Sequence, residues 1–328
     1  MEFEILKYDI PVTKIESDSI DIVQSNVISL PQYRLGYSIE LYNAYFEYTK
    51  KGQINNDIYN VLDVNIMADS LKKALGDDIL LSNTFLEVFE LLHTNALLGD
   101  AEKVNILVDS TDEQRDTILS AMQAHRNNVW KNPSGDNIGP PKKNDKQKYN
   151  CIFFNNYDLK DVETSKYEQI VSDTILKELS RLTSRQKLGG TLILQLYDTV
   201  TNATAKMVAF MFQLYSNISI YRPFSASSTE ATRYLICTDF YGEKMEEILD
   251  VFKNIKEHIT DIYSTFYVDQ EYIDIVKEFN LKVAIQNSIA IEKTLIYLNR
   301  QDLKSGIYNS QYEKKIKNAQ KWLETFLA

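Results

Sequence analysis

The stretch Val104-Asn105-Ile106-Leu107-Val108-Asp109-Ser110 decides the fold. Its first five residues form a short, mainly apolar run of strand length. Asp109 or Ser110 can then cap the helix that periodicity predicts over residues 112–125. The stretch therefore predicts a buried strand that leads through a turn into a helix.

The same alternation continues along the chain. Strands are predicted over 149–154, 191–197, 218–221 and 233–238, with helices over 167–182 and 201–215. Gly189-Gly190 predicts a tight turn that opens the third strand, where the fold needs the glycines. Strands that alternate with helices predict an α/β fold built on a doubly wound, mostly parallel sheet.

The flanking regions are predicted to be mainly helical. The N-terminal extension, residues 1–80, is expected to hold irregular chain or short strands and then helices over 37–51 and 55–75. The central domain, 81–243, contains a helix that Ser82 can cap and a mobile loop over 131–148, which is rich in Gly, Pro and Lys. The C-terminal tail, 244–328, is predicted as helices over 253–263, 272–298 and 312–326 packed on this domain.

Composition limits the ligands that the chain can hold. It has 10 glycines in 328 residues, where average usage would supply about 23. Because glycine lets the backbone approach a phosphate closely, few places remain for a nucleotide-binding loop. The net charge of −10 opposes non-specific binding to nucleic acid but allows a local basic groove.

Cysteine and histidine usage excludes further classes. Cys151 and Cys237 lie in apolar runs and predict buried, reduced thiols rather than a disulfide or a zinc site. His93, His125 and His258 are far apart and fall in unrelated predicted helices, so we expect no metal centre. No run approaches the roughly 18 apolar residues of a membrane span, and no signal peptide is visible, so we expect a soluble, cytoplasmic protein.

The residues after Val108 stand where an open parallel sheet binds its ligands. They are Asp109, Ser110, Thr111, Asp112 and Glu113, with no glycine among them. Their acids would bind a cation or a basic partner, or they would cap a helix and complement its dipole. We favour the cap.

Several segments, in the right order, carry a resemblance to a known family. They are Ser82-Asn83-Thr84-Phe85-Leu86-Glu87, Glu168-Gln169, Leu188-Gly189-Gly190-Thr191-Leu192-Ile193-Leu194-Gln195, Tyr221-Arg222-Pro223 with Arg233-Tyr234-Leu235, and a tail with Asn280, Gln286 and Ala319-Gln320-Lys321-Trp322. Together they resemble the FtsJ-like RNA 2′-O-methyltransferases, especially those of large cytoplasmic DNA viruses. The resemblance implies a Rossmann-like methyltransferase fold with helical extensions at both ends.

The catalytic positions of that family are altered in this chain. The family uses a Lys-Asp-Lys-Glu tetrad to position and deprotonate a ribose 2′-hydroxyl beside S-adenosylmethionine. By resemblance, the tetrad corresponds to Glu87, Asn155, Gln195 and Thr232, with Glu230 as a substitute for the last. The family's Gly-Gly cofactor turn corresponds to Asp109, Ser110, Thr111, Asp112 and Glu113. We therefore expect no cofactor.

The resemblance then predicts a virus-encoded, catalytically inactive methyltransferase-like protein. It would be a scaffold or regulatory subunit that binds a protein partner in mRNA capping or transcription, in the host cytoplasm, the viral factory or the virion. One alternative is an active S-adenosylmethionine-dependent RNA 2′-O-methyltransferase in which Glu230, Asp158, Lys187 or Lys206 supplies the chemistry. Another is an RNA-binding module without catalysis that uses Lys142, Lys143, Lys146, Lys148 and Arg222.

Overall fold

The fold is described by a computed structural model. It covers residues 5–11, 21–25, 59–98, 103–129, 135–142, 147–160, 162, 166–199, 201–242, 249, 252–263, 270–300 and 304–327. The helix predicted over 37–51 lies outside these ranges.

A seven-stranded sheet forms the centre of the described structure. In spatial order it consists of β1 (Leu6–Ile10), β7 (Tyr215–Arg222), β8 (Arg233–Phe240), β6 (Gln186–Leu196), β5 (Tyr149–Phe154), β3 (Asn105–Asp109) and β4 (Asn137–Gly139). The pairings place β3 to β7 in one direction and β1 and β8 in the other. This mixed, mostly parallel sheet confirms the predicted α/β class and is consistent with a Rossmann-like methyltransferase fold.

Helices cover both faces of the sheet. They are α1 (Val64–Leu75), α2 (Asn83–Thr94), α3 (Asp112–Val129), α4 (Tyr167–Ser184), α5 (Asn202–Phe210), α6 (Gln270–Asn299) and α7 (Lys304–Phe326). One apolar core lies between the sheet and α1, α2, α3 and α7, and a second lies between the sheet and α4, α5 and α6. Cys151 and Cys237 are buried and free, as predicted.

Local sequence signals explain where two of these helices begin. The Ser82 hydroxyl accepts a hydrogen bond from the Phe85 backbone N–H (3.2 Å), so the predicted cap of α2 is confirmed. Thr201 caps α5 in the same way. The helix predicted over 201–215 ends sooner, because α5 gives way to a 3-10 turn and Tyr215 already begins β7.

The helix predicted over 253–263 is wrong. Residues His258–Tyr263 form β9, which pairs antiparallel with β2 (Asp21–Ser25) in a separate two-stranded sheet. A register shift occurs in β2 between Val23 and Gln24. The buried Ile259 and Ile262 lie three residues apart, which mimics helical spacing.

The two glycines at 189 and 190 lie inside β6 and not before it. Gln186 pairs with Tyr149, and the next paired residue is Thr191, opposite Cys151, so residues 187–190 bulge from the ladder. Gly189 has φ +70°, and a Cβ on Gly190 would lie 2.8 Å from the Lys187 carbonyl oxygen. The fold therefore requires both glycines.

The predicted loop over 131–148 contains one regular element. β4 pairs parallel with β3 at the edge of the sheet, whereas residues 131–134 and 143–146 are outside the described ranges. No helix in the part of the chain that the structure describes combines the length and apolar character needed to cross a membrane.

Candidate active site at the carboxyl ends of the strands

The predicted catalytic positions converge at one edge of the sheet. Asn155 directly follows β5, Gln195 lies near the end of β6, and Thr232 immediately precedes β8. Glu87 reaches this edge from α2 through Tyr234 of β8. Because β5 and β6 are parallel and β8 runs against them, these chain ends meet at the place where open α/β sheets bind ligands.

Two neutral amides form the centre of the site. The Asn155 Nδ2 group donates to Gln195 Oε1 (2.8 Å) and to Gln114 Oε1 (2.7 Å). Asn155 and Gln195 are both buried, and Asn155 Oδ1 has no hydrogen-bond partner within the described residues. Amides do not take up or release a proton at ordinary pH, so this pair can position a group but cannot act as a base.

Glu87 adds a carboxyl group beside the amides. Tyr234 lies opposite Gln195 in the β6–β8 ladder, and its hydroxyl donates to Glu87 Oε2 (2.9 Å). Burial raises the pKa of Glu87 to about 7. The hydrogen bond from Tyr234 lowers this pKa, and the negative charge of Glu230 raises it further. A carboxyl group that titrates near neutrality can exchange protons, but it cannot supply the positive charge of a lysine.

Glu230 and Thr232 form the outer wall of the same site. The Thr232 hydroxyl makes a long contact of 3.5 Å with Glu230 Oε2. Although the side chain keeps an exposed surface, the protein packed around Glu230 reduces its hydration, and this desolvation raises its pKa. Burial also raises the pKa of Tyr197, and the charges of Glu230 and Glu87 contribute to that shift. Glu87, Tyr197 and Glu230 therefore lie close enough for their charges to influence one another.

Arg222 supports this wall from inside the protein. It is 5% exposed, and its guanidinium donates to the carbonyl oxygens of Thr232 (2.8 Å) and Ser227 (2.9 Å) and to Asn287 Oδ1 (3.0 Å). These contacts order the loop between β7 and β8 and take Arg222 away from any surface groove for RNA. Of the lysines grouped with it, Lys142 and Lys148 are exposed, and Lys143 and Lys146 lie outside the described ranges.

The turn after β3 is closed by side chains. Asp109 is 2% exposed, and its carboxylate contacts Arg181 Nη2 of α4 (2.5 Å) and Asn156 Nδ2 (3.0 Å). Asp109 therefore does not cap α3, which corrects the expectation from the sequence. Thr111 is the residue before α3, and its carbonyl oxygen accepts from Gln114 and Arg115.

Arg115 crosses the same turn from the other side. Its guanidinium donates to the Ser110 carbonyl oxygen (2.9 Å) and pairs with Asp112 (2.6 Å). S-adenosylmethionine needs a close approach to the backbone and room for its own carboxylate. The turn instead presents Asp109, Asp112 and Glu113 together with two arginine side chains and contains no glycine.

Of the substitute catalytic groups, the two lysines lie away from these positions. Lys187 Nζ donates to Asn150 (3.2 Å) near the start of β6, at the opposite end of that strand from Gln195. Lys206 pairs with Asp261 of β9 (2.7 Å). Asp158 is an exposed residue beyond β5. The structure thus places Glu230, but neither of these two lysines, beside Thr232.

Two of the three histidines come together, contrary to the expectation from the sequence. The rings of His93 on α2 and His125 on α3 lie 6.2 Å apart. His125 is buried, neither of its ring nitrogens has a hydrogen-bond partner among the described residues, and burial lowers its pKa to about 4. His258 lies in β9 and pairs with Asp173 (2.7 Å). Across the described ranges, no group of three or more His, Cys, Asp or Glu residues is arranged to hold a metal ion.

Sequence reasoning missed Glu90, the most completely buried acid near the site. Its side chain accepts hydrogen bonds from Tyr221, Phe224, Ser225 and Trp322. The available signal was a glutamate in the otherwise apolar run that contains Phe89 and Leu91. A buried acid in such a run needs several donors, so its position indicates a polar anchor.

Comparisons with known proteins support a distant relationship. The chain is 25% identical over 146 residues to a cap-specific mRNA (nucleoside-2′-O-)-methyltransferase 1 of Leishmania braziliensis, covering 41% of this chain and 36% of that protein. The enzyme of the same name from Dictyostelium discoideum is 21% identical over 132 residues, covering 38% of this chain and 17% of that protein. An uncharacterized protein, R383, of Acanthamoeba polyphaga mimivirus is 21% identical over 159 residues, covering 48% and 45%.

These similarities are partial. The chain spans about a third of the length of the Leishmania enzyme and less than half of the mimivirus protein. No family profile matches it. Sequence similarity and sheet topology together indicate a methyltransferase-like α/β protein.

Proposed function

We propose that this protein is a catalytically inactive relative of the cap-specific mRNA 2′-O-methyltransferases, encoded by a large DNA virus, and a scaffold or regulatory subunit of mRNA capping or transcription machinery. One observation carries the proposal. Asn155 and Gln195, at positions where the resembling enzymes use an acid and a lysine, form a buried pair of neutral amides. The retained fold around an altered site favours a role that depends on the shape of the protein.

The closed turn supports the same proposal independently. Asp109, the one acid retained from the family's cofactor turn, is bound by Arg181 and Asn156. Opening the turn would break a partly buried ion pair, in which the Arg181 side chain is 35% exposed, and cofactor binding would have to compensate for that loss. The altered catalytic positions and the closed turn are separate obstacles to methyl transfer.

Titration calorimetry with S-adenosylmethionine tests the inactive state. We expect no binding at micromolar cofactor and no methyl transfer to capped RNA, with an active cap 2′-O-methyltransferase as the positive control. A micromolar dissociation constant for S-adenosylmethionine would contradict the proposal. The scaffold role is tested by affinity purification from expressing cells, where retrieval of no RNA-processing or transcription protein would count against it.

One observation favours an active enzyme as the second candidate. Glu87 has a pKa of about 7 and donates or accepts a proton readily at neutral pH, beside a tyrosine hydroxyl. Were the protein active, Glu87→Gln would abolish transfer and leave cofactor binding unchanged. Methyl transfer to capped RNA by the unmodified chain, with loss in that variant, would establish this candidate.

A further inference from the structure

The outward side of α6 carries an exposed apolar stripe. Leu281, Ile285, Ile289 and Ile296 are 41%, 46%, 38% and 45% exposed. Their spacing places them on one side of the helix, over about 22 Å at 1.5 Å per residue. The exposed Glu292 lies on the same side and separates Ile296 from the other three apolar residues. The opposite side of α6 packs into the protein, where Val276, Phe279 and Val283 are buried. The residues of the stripe are therefore not the ones that hold α6 on the protein.

A basic groove adjoins the stripe between α6 and α7. Its cavity volume is about 40 Å³, and it is lined by Ile289 and Lys293 of α6, by Lys314 and Lys315 of α7, and by amide side chains. None of its lining residues is an acid. Lys293 and Lys314 are exposed and form no ion pair within the described part of the chain.

Charge and aromatic content make this surface different from the rest of the protein. The chain as a whole carries a net charge of −10, whereas the groove presents two exposed lysines, Lys293 and Lys314. Its third lysine, Lys315, is buried and pairs with Asp63. Two tyrosines of α7, Tyr308 and Tyr312, are 53% and 45% exposed and stack on each other with ring centroids 6.3 Å apart. Exposed aliphatic and tyrosine side chains beside fixed charges are typical of protein interfaces.

We propose that the α6/α7 surface, defined by the stripe and the groove, binds an amphipathic, acidic helix of a protein partner. Apolar side chains of that helix would cover Leu281, Ile285 and Ile289, and its carboxylates would meet Lys293 and Lys314. Charge complementarity selects this occupant, because a basic helix would be repelled by the groove. The inference rests on the proposed scaffold function and identifies the face that would perform it.

Fluorescence anisotropy with designed peptides tests the proposal. The probe is a labelled helix of about 18 residues with leucine at positions i, i+3, i+4 and i+7 and glutamate elsewhere. The matched control peptide has lysine in place of glutamate. We expect the acidic peptide to bind at least about tenfold more tightly than the basic one. Equal binding of the two peptides, or no binding, would overturn the proposal.

Variants of the protein locate the binding. Ile285→Asp with Ile289→Asp should weaken binding of the acidic peptide by about tenfold, and Lys293→Glu with Lys314→Glu should reverse the preference between the peptides. Leu188→Asp alters a residue that is 63% exposed on β6 and should change nothing. Circular dichroism of each variant checks that the fold is retained. Binding that is insensitive to both pairs of substitutions contradicts the assigned surface.

Further measurements on variants at Ile285 distinguish two other occupants of the α6/α7 surface. If a second copy of the protein occupied the surface, analytical ultracentrifugation would show a dimer that the Ile285→Asp substitution dissociates. If the protein's own residues 26–58 occupied it, the thiol introduced by Ile285→Cys would be protected from labelling. Cys151 and Cys237 are buried and contribute little background. Either result would overturn the proposal. Cofactor calorimetry remains a separate readout, so failure here does not imply failure of the proposed function.

Discussion

The carboxylate of Glu90 shows how one residue joins distant parts of the chain. It is fully buried in α2 and accepts from Tyr221 of β7 (2.6 Å), from Ser225 in the following loop (2.8 Å) and from Trp322 of α7 (3.1 Å). Its donors therefore come from three segments that are far from α2 in the sequence. Glu90 anchors the loop that carries Glu230 and helps to dock the C-terminal helix.

Glu90→Gln should lower the free energy of unfolding by about 2–3 kcal/mol, because an amide N–H group would then face donors that now bind a carboxylate oxygen. Urea unfolding followed by circular dichroism measures the change. Tyr221→Phe is the matched control, since it removes one donor and leaves the carboxylate with the others. We expect it to cost about 1 kcal/mol. Equal losses in the two variants would show that Glu90 is not the anchor.

At the scale of elements, the sequence predicts helices and strands best where the buried residues recur at regular spacing within one segment. The strands β3, β5 and β8 and the helices α2 and α4 were found because their apolar residues repeat within one segment. β9 was missed because its partner, β2, lies more than 200 residues earlier in the chain. Pairing over such a distance leaves no signal within a local window.

The bulge in β6 gives a prediction for this element. Gly190→Ala should destabilise the protein by about 1–3 kcal/mol, because its Cβ would lie 2.8 Å from the Lys187 carbonyl oxygen and 3.0 Å from that of Asn150. Gly306→Ala is the control. A Cβ on Gly306 of α7 meets nothing within 4 Å, so alanine should stabilise by up to about 1 kcal/mol. Thermal unfolding measures both changes, and destabilisation by both variants would contradict the steric argument.

At the scale of the whole molecule, the resemblance predicted which positions form the candidate site, and the structure supplied what those positions contact. Glu87, Asn155, Gln195 and Thr232 were named from sequence alone. Their contacts with Tyr234, Gln114 and Glu230 depend on strand register and loop conformation. The closure of the turn by Arg181 depends on how α4 packs beside β3. Such contacts arise from tertiary packing, which residue spacing does not encode.

Two buried groups with opposite pKa shifts affect the stability of the whole molecule in opposite senses. Glu87 titrates near 7 when folded, against 4.5 ordinarily, so the folded state binds the extra proton and stability falls as pH rises from 4.5 to 7. His125 titrates near 4 when folded, against 6.5 ordinarily, so the unfolded state binds the extra proton and stability rises from pH 4 to 6.5. Between pH 4.5 and 6.5 the two effects oppose each other.

Removing either group should therefore change the slope of the free energy of unfolding against pH. Relative to the unmodified protein, Glu87→Gln should gain stability as pH rises from 4.5 to 7, and His125→Phe should lose relative stability as pH rises from 4 to 6.5. Each slope should approach at most about 1.4 kcal/mol per pH unit, the value for one proton. Urea unfolding at several pH values measures both differences, and the double variant should recover the balance. Slopes of the same sign in the two single variants would contradict these assignments, because one carboxyl group held protonated and one imidazole held neutral must respond to pH in opposite directions.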